Sequence, residues 1–569
     1  MRNRHALGMA FGSMLVLSST VVFADVANPE QREAQLQSSA AQVVHVAHGN
    51  NRGREDGEMR LRYPGFEQST VVHSRGHIVI VTMEAVREPG LAPVQGACFS
   101  YKLNPVGAPT LVAQKRVSQY TRGERAFNHP HASADENGNI LVMYGSESLN
   151  NEENRPDTYA GILNESCDWL AAPVMVSIRR NANDGAPHTS YLGNGMFLGG
   201  YYSDGGDPTT GFPAPGGDYS VAMGLRIVNG GLLPTLERTW ITPVVTPTNI
   251  GRPTLTAVSN DRGLFCAPKG PQRPSDHIEC ALLDTNSGTV LWKSEVARGT
   301  REGGKRVYFN QPTVVKVSEN RYALLAIESN GMGKMQNNVK GSNLTHMFML
   351  ERNGDAISVA GEITGAAAHQ THASICAGGY GEQGTPSLAV FSASPTGIGR
   401  AAMMMVSYEE ASKSFKYDPK ADLWPAAWYG DSGHLSNWYG RNPMQQGRDY
   451  MRCIGDVPNP GYHQPGGYMA DVKTFFVGAV HGRVPGEAKN SLFLSLVPGT
   501  MDKKVLPQNP IPAGEMPNTD PDLSAKEPAP AADEGCGCST PGHSTTNGGL
   551  ALLGLVAFGA FVSYRRRRG

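Results

Sequence analysis

Five of the 16 histidines in this chain fall within or beside one short pattern that recurs along it. The pattern is a polar pair, often with proline, then His or Thr, then small or apolar residues. It reads Glu67-Gln68-Ser69-Thr70-Val71-Val72, Asn128-His129-Pro130-His131-Ala132-Ser133 and Gly185-Ala186-Pro187-His188-Thr189-Ser190. It returns as Gly251-Arg252-Pro253-Thr254-Leu255-Thr256, Asn310-Gln311-Pro312-Thr313-Val314-Val315 and His369-Gln370-Thr371-His372-Ala373-Ser374. Its fourth column holds Thr70, His131, His188, Thr254, Thr313 and His372. Its second holds Gln68, His129, Ala186, Arg252, Gln311 and Gln370. Neutral imidazoles brought together suit a borderline transition metal, so His131, His188 and His372 are metal ligands if they converge. Without a metal, the same columns offer hydrogen-bond donors and acceptors to a sugar or another small ligand. The plainest alternative is structural: polar residues at such positions tie neighbouring units together or hold trapped water. Glu67 is the one carboxylate in the pattern.

These side chains meet only if the fold is a closed ring. The pattern returns at intervals of roughly 60 residues, which marks a repeat architecture. Each copy is followed by a turn rich in Asn and Gly and then a second apolar run, such as Glu136-Asn137-Gly138 into Asn139 to Tyr144. That is the signature of hairpins, with an internal period of 2 that excludes helical repeats. Four strands per unit predict an all-β chain folded as a β-propeller over residues 42–499. A ring of blades buries both faces of every sheet, which one sheet alone cannot do. Seven blades are expected, with six as the alternative. The seventh would begin near His463-Gln464-Pro465, continue through Thr474 to Val480 and Ser491 to Leu496, and take Gln42 to Ala47 as its outer strand. Residues 409–460 read as an insertion carrying Trp424, Trp428, Tyr429, Trp438 and Tyr439, aromatics that could stack on sugars or cap the core. In such a ring His131 and His188 lie across one blade interface with His129 close by. His372 would face them over water, too far to share one ion.

Other chemistry is missing from the sequence. It has no Gly-x-Ser-x-Gly elbow, no phosphate-binding Gly-Lys-Ser/Thr loop and no His-Glu-x-x-His helix. Asp135 to Asn139 imitates a calcium loop but lacks the distal Glu. The core has six cysteines and no Cys-x-x-Cys pair, so a zinc ribbon or redox motif is not expected. Cys266 and Cys280 fall on adjacent strands of one unit and are expected to pair. Elimination then leaves Cys98 with Cys167 and Cys376 with Cys453.

Composition and ends give an address. Hydrophobic residues make up 40% of the chain and charged residues 18%, with 67 glycines. That suits a turn-rich β protein. The formal net charge is −1, and both ends are basic. Removing them leaves a mildly acidic product with no footprint for nucleic acid. Residues 1–24 read as a signal peptide: Arg2 and Arg4, an apolar stretch, then a small-x-small cleavage site ending at Ala24. Residues 25–41 are a lead-in, and 500–535 a Pro-rich acidic linker that cannot bury a core. Residues 536–569 carry Cys536 and Cys538, the apolar run Leu550 to Val562, and Arg565, Arg566, Arg567 and Arg568. This tail resembles the myxobacterial C-terminal sorting signal of the MYXO-CTERM type. The resemblance covers only the tail. It implies cleavage near the cysteines, membrane association through the processed C-terminus, and display on the outer membrane surface.

The sequence therefore points to a surface-displayed binding or adhesion module for a glycan or protein. Its rival is an extracellular enzyme with a His-lined site at the channel mouth, for which a transition metal is the one cofactor suggested. A scaffold without a small ligand is the third reading.

Overall fold

The computed structural model describes residues 42–47 and, with short breaks, 66–121, 126–147, 157–177, 184–203, 219–245, 252–269, 277–298, 308–329, 344–367, 374–380, 386–393, 401–422, 452–458, 474–483 and 490–498. The expected signal peptide, lead-in, linker and sorting tail lie outside the described residues. So do His369, Gln370, His372 and the five aromatics of the expected insertion.

Seven four-stranded antiparallel sheets form the described structure. The innermost strands are Phe66–Ser74, Ala126–Ala134, Asp184–Gly193, Thr254–Ser259, Tyr308–Ser318, Ser374–Tyr380 and Arg452–Pro458. Each adjoins the next in chain order, and the seventh returns to the first, which closes a ring. The chain is a seven-bladed β-propeller. Its last blade takes three strands from the C-terminal side, while Gln42–Ala47 pairs antiparallel with Asn490–Pro498 as the outer strand.

The sequence explains why blades stack. In the second strand of blade 1, Ile78, Val79, Ile80 and Val81 are all buried. Ile78 and Ile80 pack with Phe475, Val477 and Leu494 of blade 7. Val79 and Val81 point the other way, among Phe127, Ile140 and Val142 of blade 2. A continuous apolar run is what a strand covered on both faces requires. Outer strands read differently: Thr110–Arg116 is largely exposed. Gly96 shows how close the blades come, since a Cβ there would sit 2.8 Å from the Phe127 ring.

Two faces of the ring differ. On one, strands turn over in tight hairpins such as Arg75-Gly76 and Asn194-Gly195, with both residues at positive φ. That is the backbone of a type I′ turn, which matches strand twist. On the other face the inner strands begin.

The structure corrects the end of the repeat. Ser414–Asp422 is the outer strand of blade 6, and Arg452–Pro458 is the inner strand of blade 7. Both lie inside the expected insertion 409–460. The seventh unit therefore begins at Arg452 and not near His463, which lies outside the described residues. Arg452-Cys453-Ile454 carries no proline and no His or Thr in register, so the pattern that marks six blades is absent from the seventh. The cysteines pair as expected. Cys266–Cys280 joins adjacent strands of blade 4, Cys98–Cys167 ties blade 1 to blade 2, and Cys376–Cys453 ties the inner strands of blades 6 and 7.

Candidate ligand site at the channel mouth

The recurring pattern builds a β-bulge at the start of the first three inner strands. Register slips between Glu67 and Thr70, between Asn128 and His131, and between Gly185 and His188. The second-column residue of each takes a left-handed conformation: Gln68 at φ 50°, His129 at 49° and Ala186 at 49°. For non-glycine residues this costs on the order of 1 kcal/mol each. Pro130 and Pro187 fit the following position because a bulge leaves an N–H out of the ladder. The bulge separates the two columns. Gln68, His129, Ala186 and Arg252 of the second column line one pocket, while Thr70, His131 and Thr254 of the fourth reach the next blade.

The fourth column thereby makes rungs between blades. Thr70 Oγ1 accepts the Ala132 N–H at 3.2 Å. His131 Nδ1 accepts the Thr189 N–H at 3.2 Å. Thr254 Oγ1 accepts the Val314 N–H at 2.9 Å. In each rung the donor is the residue after the next blade's fourth-column residue. These three side chains do the structural work that the plainest reading of the sequence assigned them. Thr313 is buried in its strand, and Gln311 lies in the same strand with its side chain outside the described residues.

The second column opens on a small pocket lined by Gln68, Ser69, His129, Pro130, Ala186, Pro187, His188, Arg252 and Arg452. Gln68 clamps His129 from two sides. Its Oε1 accepts the His129 backbone N–H at 2.8 Å, and its Nε2 lies 3.1 Å from the ring Nε2. Arg252 also contacts that ring nitrogen. Arginine and the amide NH2 can only donate, so Nε2 is an acceptor and the ring proton sits on Nδ1. The His188 ring packs against that of His131, tilted by 32° with centroids 3.8 Å apart. Burial holds His129, His131 and His188 well below the usual imidazole range. Arg252 and Arg452 add repulsion at His129; Arg452 adds it at His131; and His131 and both arginines add it at His188. All three rings are neutral at physiological pH. The Arg452 guanidinium is itself driven down to about 10, by burial first and then by Arg252.

Arg452 is the residue that sequence reasoning missed. It lies on the one inner strand that lacks the pattern. Of the expected site residues, Gln68, His129, His188 and Arg252 line the cavity. Among the described residues no group of three His, Cys, Asp or Glu side chains could hold a metal. The donor set gives a reason: His129 Nε2 and His131 Nδ1 have spent their lone pairs, and two guanidinium groups line the same cavity. With His372 outside the described residues, His131 and His188 meet as a tilted pair.

Neutral buried histidines carry a pH signature. Their folded pKa lies below the ordinary 6.5, so below that value the unfolded chain binds more protons than the folded one. Stability is then fully present above about pH 6.5 and falls as the pH drops toward the folded values. A thermal-unfolding series from pH 7.5 to 5 is expected to show Tm declining, with a flatter decline in His188→Gln. A Tm that rises on acidification would contradict the neutral assignment.

No protein-family model and no curated protein matches the chain. Among solved structures it is similar to the periplasmic gluconolactonase of Pseudomonas aeruginosa, at 10% identity over 62% of this chain and 85% of that one, with a TM-score of 0.39. It is also similar to the NanB sialidase from Streptococcus pneumoniae, at 9% identity over 79% and 71%, with a TM-score of 0.38. The propeller assignment rests on the strand order and ring closure of the chain itself.

Proposed function

We propose that this chain is an exported, surface-displayed propeller whose channel mouth binds the acidic group of an extracellular glycan. One observation carries the reading: Arg252 and Arg452 converge on a cavity that no described carboxylate lines. Arg252 repels the half-buried Arg452 charge. A bound anion offsets that repulsion, and a carboxylate matches the guanidinium fork. Gln68, His129 and His188 supply neutral polar contacts, which suit a hydroxyl-rich ligand. Three disulfides fit an oxidising compartment outside the cytoplasm. The tail supports anchoring at the surface through Cys536 or Cys538 after loss of the arginine cluster.

Titration calorimetry of the purified protein with glucuronate and with glucose tests the reading. Glucuronate is expected to bind, more weakly as salt rises, and glucose to give no heat. Equal binding of both sugars, or binding of neither, would overturn it.

A further inference from the structure

The inner strand of blade 2, Ala126–Ala134, carries two histidines that tie it to its neighbours through acceptor nitrogens. His129 Nε2 faces Gln68 Nε2 of blade 1 at 3.1 Å and the Arg252 guanidinium at the start of blade 4. His131 Nδ1 accepts the Thr189 N–H of blade 3 at 3.2 Å. The Gln68 amide cannot turn round, because its Oε1 is held by the His129 backbone N–H at 2.8 Å. A neutral imidazole has one acceptor nitrogen, and a second proton must go there. Guanidinium, amide NH2 and backbone N–H groups only donate. A proton on either ring therefore sets N–H against N–H, and the contact breaks. The rungs made by the hydroxyls of Thr70 and Thr254 do not titrate.

We propose that the mouth end of this strand is an acid-released latch: protons taken up at His129 and His131 free it from blades 1, 3 and 4, while the opposite face of the ring stays closed. The groups around the two rings favour release. His188 of blade 3 packs against His131, and Arg252 and Arg452 act on the rings from blades 4 and 7. Blade 1 presents Gln68, Ser69 and Thr70, Met143 stands opposite His131 in its own blade, and no described carboxylate lines the pocket. A charged imidazole thus meets cations and donors. The far ends of the same interfaces behave differently. Arg75 of blade 1 pairs with Glu165 of blade 2 at 2.6 Å, and Tyr191 of blade 3 bonds Glu136 of blade 2. Tyr191 holds the Glu136 carboxyl below its usual range; at Glu165 burial acts the other way, but the hydrogen bonds from Arg75 and Ser74 prevail. Both carboxylates stay ionised where histidines take up protons, and Cys98–Cys167 keeps blades 1 and 2 joined. The strand swings about that fixed end, and the pocket loses its wall of His129 and Pro130. The pocket is formed in the neutral state and dismantled in acid, whatever it binds.

Hydrogen-exchange mass spectrometry of the purified chain tests this, with protection expressed relative to the intrinsic rate at each pH. Opening returns each ring to about its ordinary 6.5, so at pH 5 each histidine favours the open strand by about 30-fold. Protection of the Thr189 amide is expected to fall about 1,000-fold between pH 7.5 and 5, when both rings act together. The Val314 amide, held by Thr254, is expected to keep its protection. In His131→Thr or His129→Gln the fall at Thr189 shrinks to about 30-fold. Both replacements are residues that the repeat itself places in those columns, as Thr70 and Gln68, and either variant alone carries the test if the other fails to fold. A wild-type fall below about tenfold at Thr189 overturns the latch, since even one released histidine exceeds it. An equal fall at Val314 overturns it too, because the whole ring then opens. So does a fall of wild-type size in the two variants.

Discussion

Replacing Arg452 with methionine is expected to raise the melting temperature of the unliganded protein while weakening binding of an acidic ligand about 100-fold. The two effects come from one cause. Arg452 is half-buried, and its proton affinity is lowered by burial and by Arg252, with no carboxylate among the described residues offsetting them. Exchanging an uncompensated buried charge for an apolar side chain of similar length is often neutral or stabilising by about 1–4 kcal/mol. Removing the charge that faces a bound anion costs about 2–5 kcal/mol of binding, hence the hundredfold loss. Scanning calorimetry and titration calorimetry on the same preparation read both. A variant that melts earlier and binds as before would make Arg452 a structural cation and remove the central support of the proposed site. Arg252→Met is the companion, with a weaker gain in stability expected because Arg252 also contacts His129.

The sequence-level reading reaches the ring of blades and half of this site, and the reasons for the missing half are physical. Gln68, His129, His188 and Arg252 were visible because a repeat stacks equivalent positions around one axis. The division of labour between columns was not visible. Alternation with period 2 places Gln68 and Thr70 on one face of the strand. The bulge at Gln68 breaks that period, so Gln68 lines the cavity while Thr70 reaches Ala132 of the next blade. A left-handed glutamine or histidine has no mark in the residue types themselves. Arg452 was hidden for a different reason. Blade 7 is assembled from both ends of the described chain, and its inner strand shares only short apolar positions such as Ile454 and Val457 with the others. A strand that is held in place by its neighbours needs no motif of its own.

That dependence makes the disulfide beside Arg452 the second sensitive point. Cys376–Cys453 joins inner strands of blades 6 and 7 and closes a sequence separation of 77, against 69 for Cys98–Cys167 and 14 for Cys266–Cys280. On chain entropy, losing either long bridge costs about 4.5 kcal/mol and losing the short one about 3 kcal/mol. Urea unfolding of the three double-serine variants is expected to follow that order. Binding is expected to separate the two long bridges. Gly455 packs directly on the backbone of Ala377, so the strands of blades 6 and 7 touch where Cys453 holds them. With the bridge gone, Arg452 keeps its chemistry but loses the strand that aims it. Cys376→Ser with Cys453→Ser should therefore lose about tenfold in affinity for glucuronate, roughly 1.4 kcal/mol, under conditions where the variant is still folded. Cys98→Ser with Cys167→Ser should lose similar stability and no affinity, since that bridge lies in blades 1 and 2 away from Arg452. Equal losses of affinity in both variants would mean that the mouth responds to the looseness of the whole ring. An unchanged affinity in both would mean that Gly455 and the apolar contacts of blade 7 hold Arg452 in position without covalent help.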